Sequence, residues 1–228
     1  MPDASRHFEY RLHFPDGKRC TINVVLDGET LGCIEPLPVM REWTALACHQ
    51  CPHCPLDPAL EPLCPLAARL DPLVDTLGSV LSYEALDVEA VVAERIVSTH
   101  APAQAVASSL MGLIGATSGC PHTAFLKPLA WFHQPFASEE ETVFRAVSAW
   151  LLKQYFHSLD DEKPDWTLTG LKERYDALHE VNVHMARRLR QASSCDATVN
   201  AIVRLDMFTK AVAGEVDEII GFLRGRLG

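Results

Sequence analysis

The residues with chemistry to offer stand close together. Cys48-His49-Gln50-Cys51-Pro52-His53-Cys54-Pro55 is followed by Cys64-Pro65, so this short run holds half of the chain's 8 cysteines. Thiols at i, i+3 and i+6 beside prolines do not suit an aliphatic core or a regular helix. They do suit a soft or borderline metal ion, for which thiolates are preferred ligands. Cys51-Pro52-His53-Cys54 has the Cys-Pro-x-Cys form of zinc knuckles. A tetrahedral ion needs four ligands, and two candidates compete for the last place. Cys120 is followed by proline, as Cys51, Cys54 and Cys64 are; Cys48 is closer in sequence. The shared Cys-Pro form points to Cys120, which would clip this region to the end of a later helix. His49 and His53 are reserve ligands.

The same thiols suit an iron–sulfur cluster. Cys48-x2-Cys51-x2-Cys54 with a later Cys-Pro is similar to the bacterial ferredoxin run, although nine residues rather than three precede the last cysteine. Cys-Pro-His-Cys also resembles the active site of the DsbA-type disulfide oxidoreductases, which implies an exposed thiol of low pKa. In that family the motif opens a helix, whereas here Pro55 and Pro58 follow at once. A third chemistry is a thiolate–imidazole pair drawn from Cys120, His122 and His133, with Glu139 to Glu141 nearby. Against it, His133 between Phe132 and Phe136 reads as a hydrogen-bonded packing residue, and glutamates at a helix start are favoured by electrostatics alone.

Composition narrows the class. The chain has 228 residues, 48% hydrophobic and 22% charged, which suits a packed globular protein. A net charge of -10 argues against nucleic acid or an anionic membrane as the main partner. The beginning lacks a basic and then apolar leader, and no apolar run is long enough to span a bilayer. These features predict a cytoplasmic protein. In that compartment, clustered thiols point to metal or redox chemistry more than to disulfides.

The elements around the cysteines follow from periodicity. Phe8, Tyr10, Leu12 and Phe14 alternate, as do Cys20, Ile22, Val24 and Leu26, and Pro15-Asp16-Gly17-Lys18 between them predicts a hairpin turn. A third short strand is expected over 31–34. Eight of the 15 prolines lie between Pro36 and Pro72, which predicts a long loop. Residues 83–99 read as one further strand. Pro102 should open a helix running to about Ser118, with Ala105, Ser109, Gly112 and Ala116 as a small-residue stripe for a close helix neighbour. Ser138 and Glu141 form a capping box for a helix reaching His157.

After the polar linker 160–165, heptad spacing runs through Leu168, Leu171, Tyr175, Leu178, Asn182, Met185 and Leu189. It resumes through Thr198, Ile202, Leu205, Thr209, Val212, Val216, Ile219 and Leu223. This predicts an antiparallel helical hairpin, Asn182 facing Thr209 across the seam. Ser193 with Asp196 suits its second N-cap.

The expected fold is therefore α+β: a small antiparallel sheet, a metal-stapled Cys/Pro-rich loop, packed helices and the hairpin. The expected domains are 1–159, binding the metal, and 165–228, the hairpin. The expected function is non-enzymatic: structural zinc held by Cys51, Cys54, Cys64 and either Cys48 or Cys120, with the hairpin binding a protein partner or a second copy. An iron–sulfur redox or sensory protein is the alternative, and a Cys/His enzyme the third reading.

Overall fold

A computed structural model describes residues 5–214, 220, 221, 224 and 225. Two hairpins make its sheet. Strand β1 (Ser5–His13) turns back into β2 (Arg19–Asp27), with Tyr10 opposite Ile22 and Leu12 opposite Cys20. Gly17 takes a φ of 87° in the turn, where Asp16 accepts a hydrogen bond from the Lys18 amide. Strands β3 (Ala85–Val92) and β4 (Arg95–Pro102) form the second hairpin, and the strand order is β2-β1-β3-β4. The stretch expected as one strand is therefore two. Its turn at Ala93, with a φ of 52°, carries no glycine, asparagine or proline to announce it. The third strand expected over 31–34 is a single bridge between Leu26 and Cys33.

One face of the sheet is apolar. Phe8, Tyr10, Leu12, Val24, Leu26, Leu86 and Val88 are buried there, and their alternation along each strand aims them at the helices.

The proline-rich segment contains a helix that periodicity missed. α1 (Pro65–Leu77) starts with Pro65, where a missing amide costs nothing, and carries Pro72 inside. Leu66, Leu70, Leu73 and Leu77 give it a fully apolar face. α2 (Ala103–Thr117) is nearly all buried. A short α3 (Lys127–Trp131) leads to α4 (Glu139–Leu159), whose Ser138–Glu141 capping box forms as predicted. Trp150 and Leu151 of α4 are only half-buried, and Tyr155 is exposed.

The hairpin is α5 (Thr169–Ala192) and α6 (Ala197–Gly214). Asn182 donates to Thr209 Oγ1 at 3.0 Å across the seam, as the heptad phase predicts. Val216, Ile219 and Leu223 lie outside the described residues. α5 begins at Thr169, after a turn in which the Asp165 carboxylate accepts from the amides of Thr167, Thr169 and Gly170. Asp196 precedes α6, but its carboxylate turns to the amide and hydroxyl of Ser82.

α6 packs against the small-residue stripe of α2, where a Cβ on Gly112 would meet Leu205 at 3.8 Å. Leu171, Leu178, Met185 and Ile202 belong to the same hydrophobic cluster as Tyr10, Leu110 and Val88. The 160–165 linker thus separates two stretches of sequence whose side chains share one core. Much of the hairpin's surplus apolar surface is covered within the chain: Val181 is buried and Val183 and Val199 are half-buried.

The loop between Cys33 and Cys64 is held by polar contacts. Arg188 of α5 is only 2% exposed, and it donates to the carbonyls of Trp43, Ala45 and Leu46 at 2.7–2.9 Å. Trp43 Nε1 donates to the buried Asp71 carboxylate, which also pairs with Arg41. Burial raises the Asp71 pKa, and the Arg41 charge only partly offsets it. Truncating Arg188 leaves the Trp43 and Leu46 carbonyls without a donor, at about 1–3 kcal/mol for each one that water cannot reach, while Ala45 O keeps the Cys48 amide. Arg188→Met should therefore cost several kcal/mol in urea unfolding, and Arg188→Lys nearly as much, since one ammonium cannot span the three positions.

Candidate functional site

The four cysteines followed by proline come together. Cys51, Cys54, Cys64 and Cys120 line one small cavity with Pro65, Pro121, His122, Met185 and Arg188. Its free space is about 20 Å³, room for a single water-sized particle. Three separate segments supply the thiols. Cys51 and Cys54 flank a tight turn closed by the hydrogen bond from Cys54 N to Cys51 O. Cys64 is the N-cap of α1, extended at ψ 114° because Pro65 follows. Cys120 follows the end of α2, after Gly119 at a φ of 91°.

Cys48 lies apart, with its thiol on Gln191 of α5 at 3.4 Å. The Cys-Pro form, not sequence proximity, marked the gathered set. All eight cysteines are free thiols. Among the described residues, no three Cys, His, Asp or Glu side chains converge on one point in ligating geometry. The four thiols share a cavity without closing on a common centre.

Two histidines sit beside this cavity. The His53 and His122 rings meet at 4.0 Å, tilted by 46°, and His122 Nε2 bonds to the His53 carbonyl. Burial lowers the His122 pKa. His53 Nε2 bonds to the Ala177 carbonyl of α5, tying the Cys51–Cys54 turn to the hairpin. His49 has a φ of 44°, and its carbonyl bonds to His184 Nδ1. Burial, then the neighbouring Cys64, Cys120 and Cys54, pushes the Cys51 thiol up to about 12. An exposed, acidic exchanging thiol needs the reverse, so the oxidoreductase likeness stops at the four-residue motif.

Of the residues proposed for a thiolate–imidazole pair, Cys120 and His122 line the cysteine cavity together, and His133 does not join them. His133 lines a different cavity, behind the sheet, where Phe8 meets its ring edge-on. Its Nε2 lies 2.6 Å from Tyr10 Oη, which lies 2.8 Å from Ser109 Oγ, and Ser109 Oγ accepts from the Phe136 amide. One assignment satisfies both hydroxyls: Ser109 donates to Tyr10, and Tyr10 donates to His133 Nε2. His133 is then neutral with its proton on Nδ1. Sequence reasoning placed His133 as a packing residue and could not name Tyr10, which is 123 positions away.

Burial, and then the Arg145 charge, lowers the His133 pKa to about 3. The unfolded chain binds this proton below about pH 6.5 and the folded one does not. Stability from this group is thus complete above pH 6.5 and falls as pH drops towards 3, by at most about 1.4 kcal/mol per pH unit. His133→Gln should flatten the acid limb of a urea-unfolding series over that window. An unchanged slope would show that His133 does not govern it.

No curated protein and no solved structure matches this chain. One family model, described as Domain of unknown function (DUF6901), matches residues 8–227. That match takes in both hairpins of the sheet, the cysteine cavity and most of the C-terminal helices, and the chain belongs to the DUF6901 family.

Proposed function

We propose that this is a non-enzymatic zinc protein, in which one ion held by Cys51, Cys54, Cys64 and Cys120 locks the Cys/Pro-rich loop to α1 and α2. The observation that carries it is the meeting of four Cys-Pro thiols from three segments around one small cavity. The thiols share a cavity without converging, so ion binding would draw them inward onto one centre. Four thiolates around a divalent ion leave a net charge of about -2, and Arg188, which also lines the cavity, offsets part of it. The size of the space favours a single ion over an iron–sulfur cluster, the alternative for the same thiols. Metal binding to such a site adds to folding energy.

Elemental analysis and a visible spectrum of anaerobically purified protein test this. One zinc per chain and no colour are expected. Cys51→Ser and Cys64→Ser should each lose the metal and lower the melting temperature, while Cys48→Ser should keep both. A brown protein would replace zinc by an iron–sulfur cluster. Full occupancy in the Cys51→Ser/Cys54→Ser double variant would overturn the site.

A second reading, self-association through a helix, is favoured by α4. Phe144, Leu152, Tyr155, Phe156 and Leu159 are all exposed there. We infer that this row, rather than the seam of the hairpin, meets a second copy of the chain in a two-fold dimer. Light scattering of the full chain at micromolar concentration should give a dimer, and Leu152→Glu with Phe156→Glu a monomer. A monomeric wild type would refute it.

A further inference from the structure

The larger cavity is independent of the cysteines. It lies between α2, α4, α5 and α6 and has a volume of about 190 Å³. It exists because α2 presents Ala105, Gly112 and Ala116 where larger side chains would fill the space. Its walls are largely apolar, with Leu66, Leu70, Met111 and Leu129 among them. Apolar walls alone would accept any small hydrophobe: an engineered cavity of about 150 Å³ takes up benzene.

The polar groups are more selective, and they offer donors. Tyr175 is only 4% exposed, and its hydroxyl has no hydrogen-bond partner among the described residues. Arg145 reaches the cavity from α4. Its Nη2 donates to the carbonyls of Leu129 and Phe132 at 2.6 and 2.8 Å, which fixes the guanidinium plane. Its Nε and Nη1 have no partner, and it makes no ion pair, among the described residues. His133 lines the same space, with the proton assigned above to Nδ1. Burial lowers the Arg145 pKa and raises that of Tyr175, so both groups gain from an anion that arrives and pairs with them. A neutral phenol can donate to such an anion, and the guanidinium, its Nη2 taken by the two carbonyls, can add one charge-assisted hydrogen bond.

We propose that this cavity binds a small apolar monocarboxylate, of the size of benzoate or a short fatty acid, with its carboxylate on Arg145 and Tyr175 and its body against α2. The largely apolar lining disfavours diacids and phosphates, which would bring more charge out of water.

Titration calorimetry on the full chain tests this with benzoate, hexanoate and benzyl alcohol as probes. At least one acid should bind saturably at one site and raise the melting temperature, and benzyl alcohol should bind at least about tenfold more weakly. Tyr175→Phe removes only a hydroxyl with no partner, so it should fold normally. It should weaken the acid by about tenfold or more, the worth of a hydrogen bond to a charged group, while leaving the alcohol unchanged. Arg145→Met should abolish the preference for acid over alcohol. Equal affinity for acid and alcohol, an unchanged affinity in Tyr175→Phe, or no saturable binding of either acid would each overturn the assignment.

Discussion

The architecture around the cysteines depends on one buried guanidinium. Arg188 comes from near the end of the cleanest heptad helix in the chain, yet it points into the protein and takes the loop carbonyls of Trp43, Ala45 and Leu46. A proline-rich segment cannot satisfy its own backbone by helix or sheet, since it lacks donors and resists both geometries. A long side chain with five donors supplies them at one point. The cation has no carboxylate partner among the described residues, so carbonyl dipoles carry the compensation, and its charge opposes in part the burial that raises the Cys51 pKa. Holding the loop and preparing the thiol cavity are thus two effects of one residue.

That loop is held more than once. The Trp43–Asp71 hydrogen bond and the Arg41–Asp75 pair tie it to α1, and Cys64 N donates to Thr44 O where the chain returns. These contacts do not involve the thiols. The frame around the cysteines is therefore built by ordinary polar contacts, and an ion entering it would find three segments already in place. Preorganisation of this kind lowers the cost of ordering the ligands.

α2 and its surroundings separate two spaces of opposite character. On one side, thiols and an arginine line a space for about one small particle; on the other, apolar walls enclose a larger one with donors at its edge. Leu66 contributes to both linings. The small residues of α2 have a double consequence for the same reason. They let α6 approach closely at Gly112, and they leave unfilled volume where no neighbour's side chain reaches.

Sequence by itself determined the parts that rest on local rules. The Asp-Gly turn, the alternation of β1 and β2, the capping box of α4 and the Asn182–Thr209 phase were all legible, because each needs only neighbours a few positions away or a strict period. The Cys-Pro pattern also separated Cys120 from Cys48, since a following proline imposes the same extended backbone at each gathered thiol. Tertiary structure decided the rest. α1 was hidden because Pro65 and Pro72 signal a loop locally, and burial of Leu66, Leu70 and Leu77 outweighs that signal. The second hairpin was hidden because its turn at Ala93 is imposed by strand pairing and not by a turn residue. Arg188 and Tyr10 gave no local sign of their roles. Each acts on residues in distant parts of the chain, and only the packing of the hairpin onto the sheet and loop brings them there.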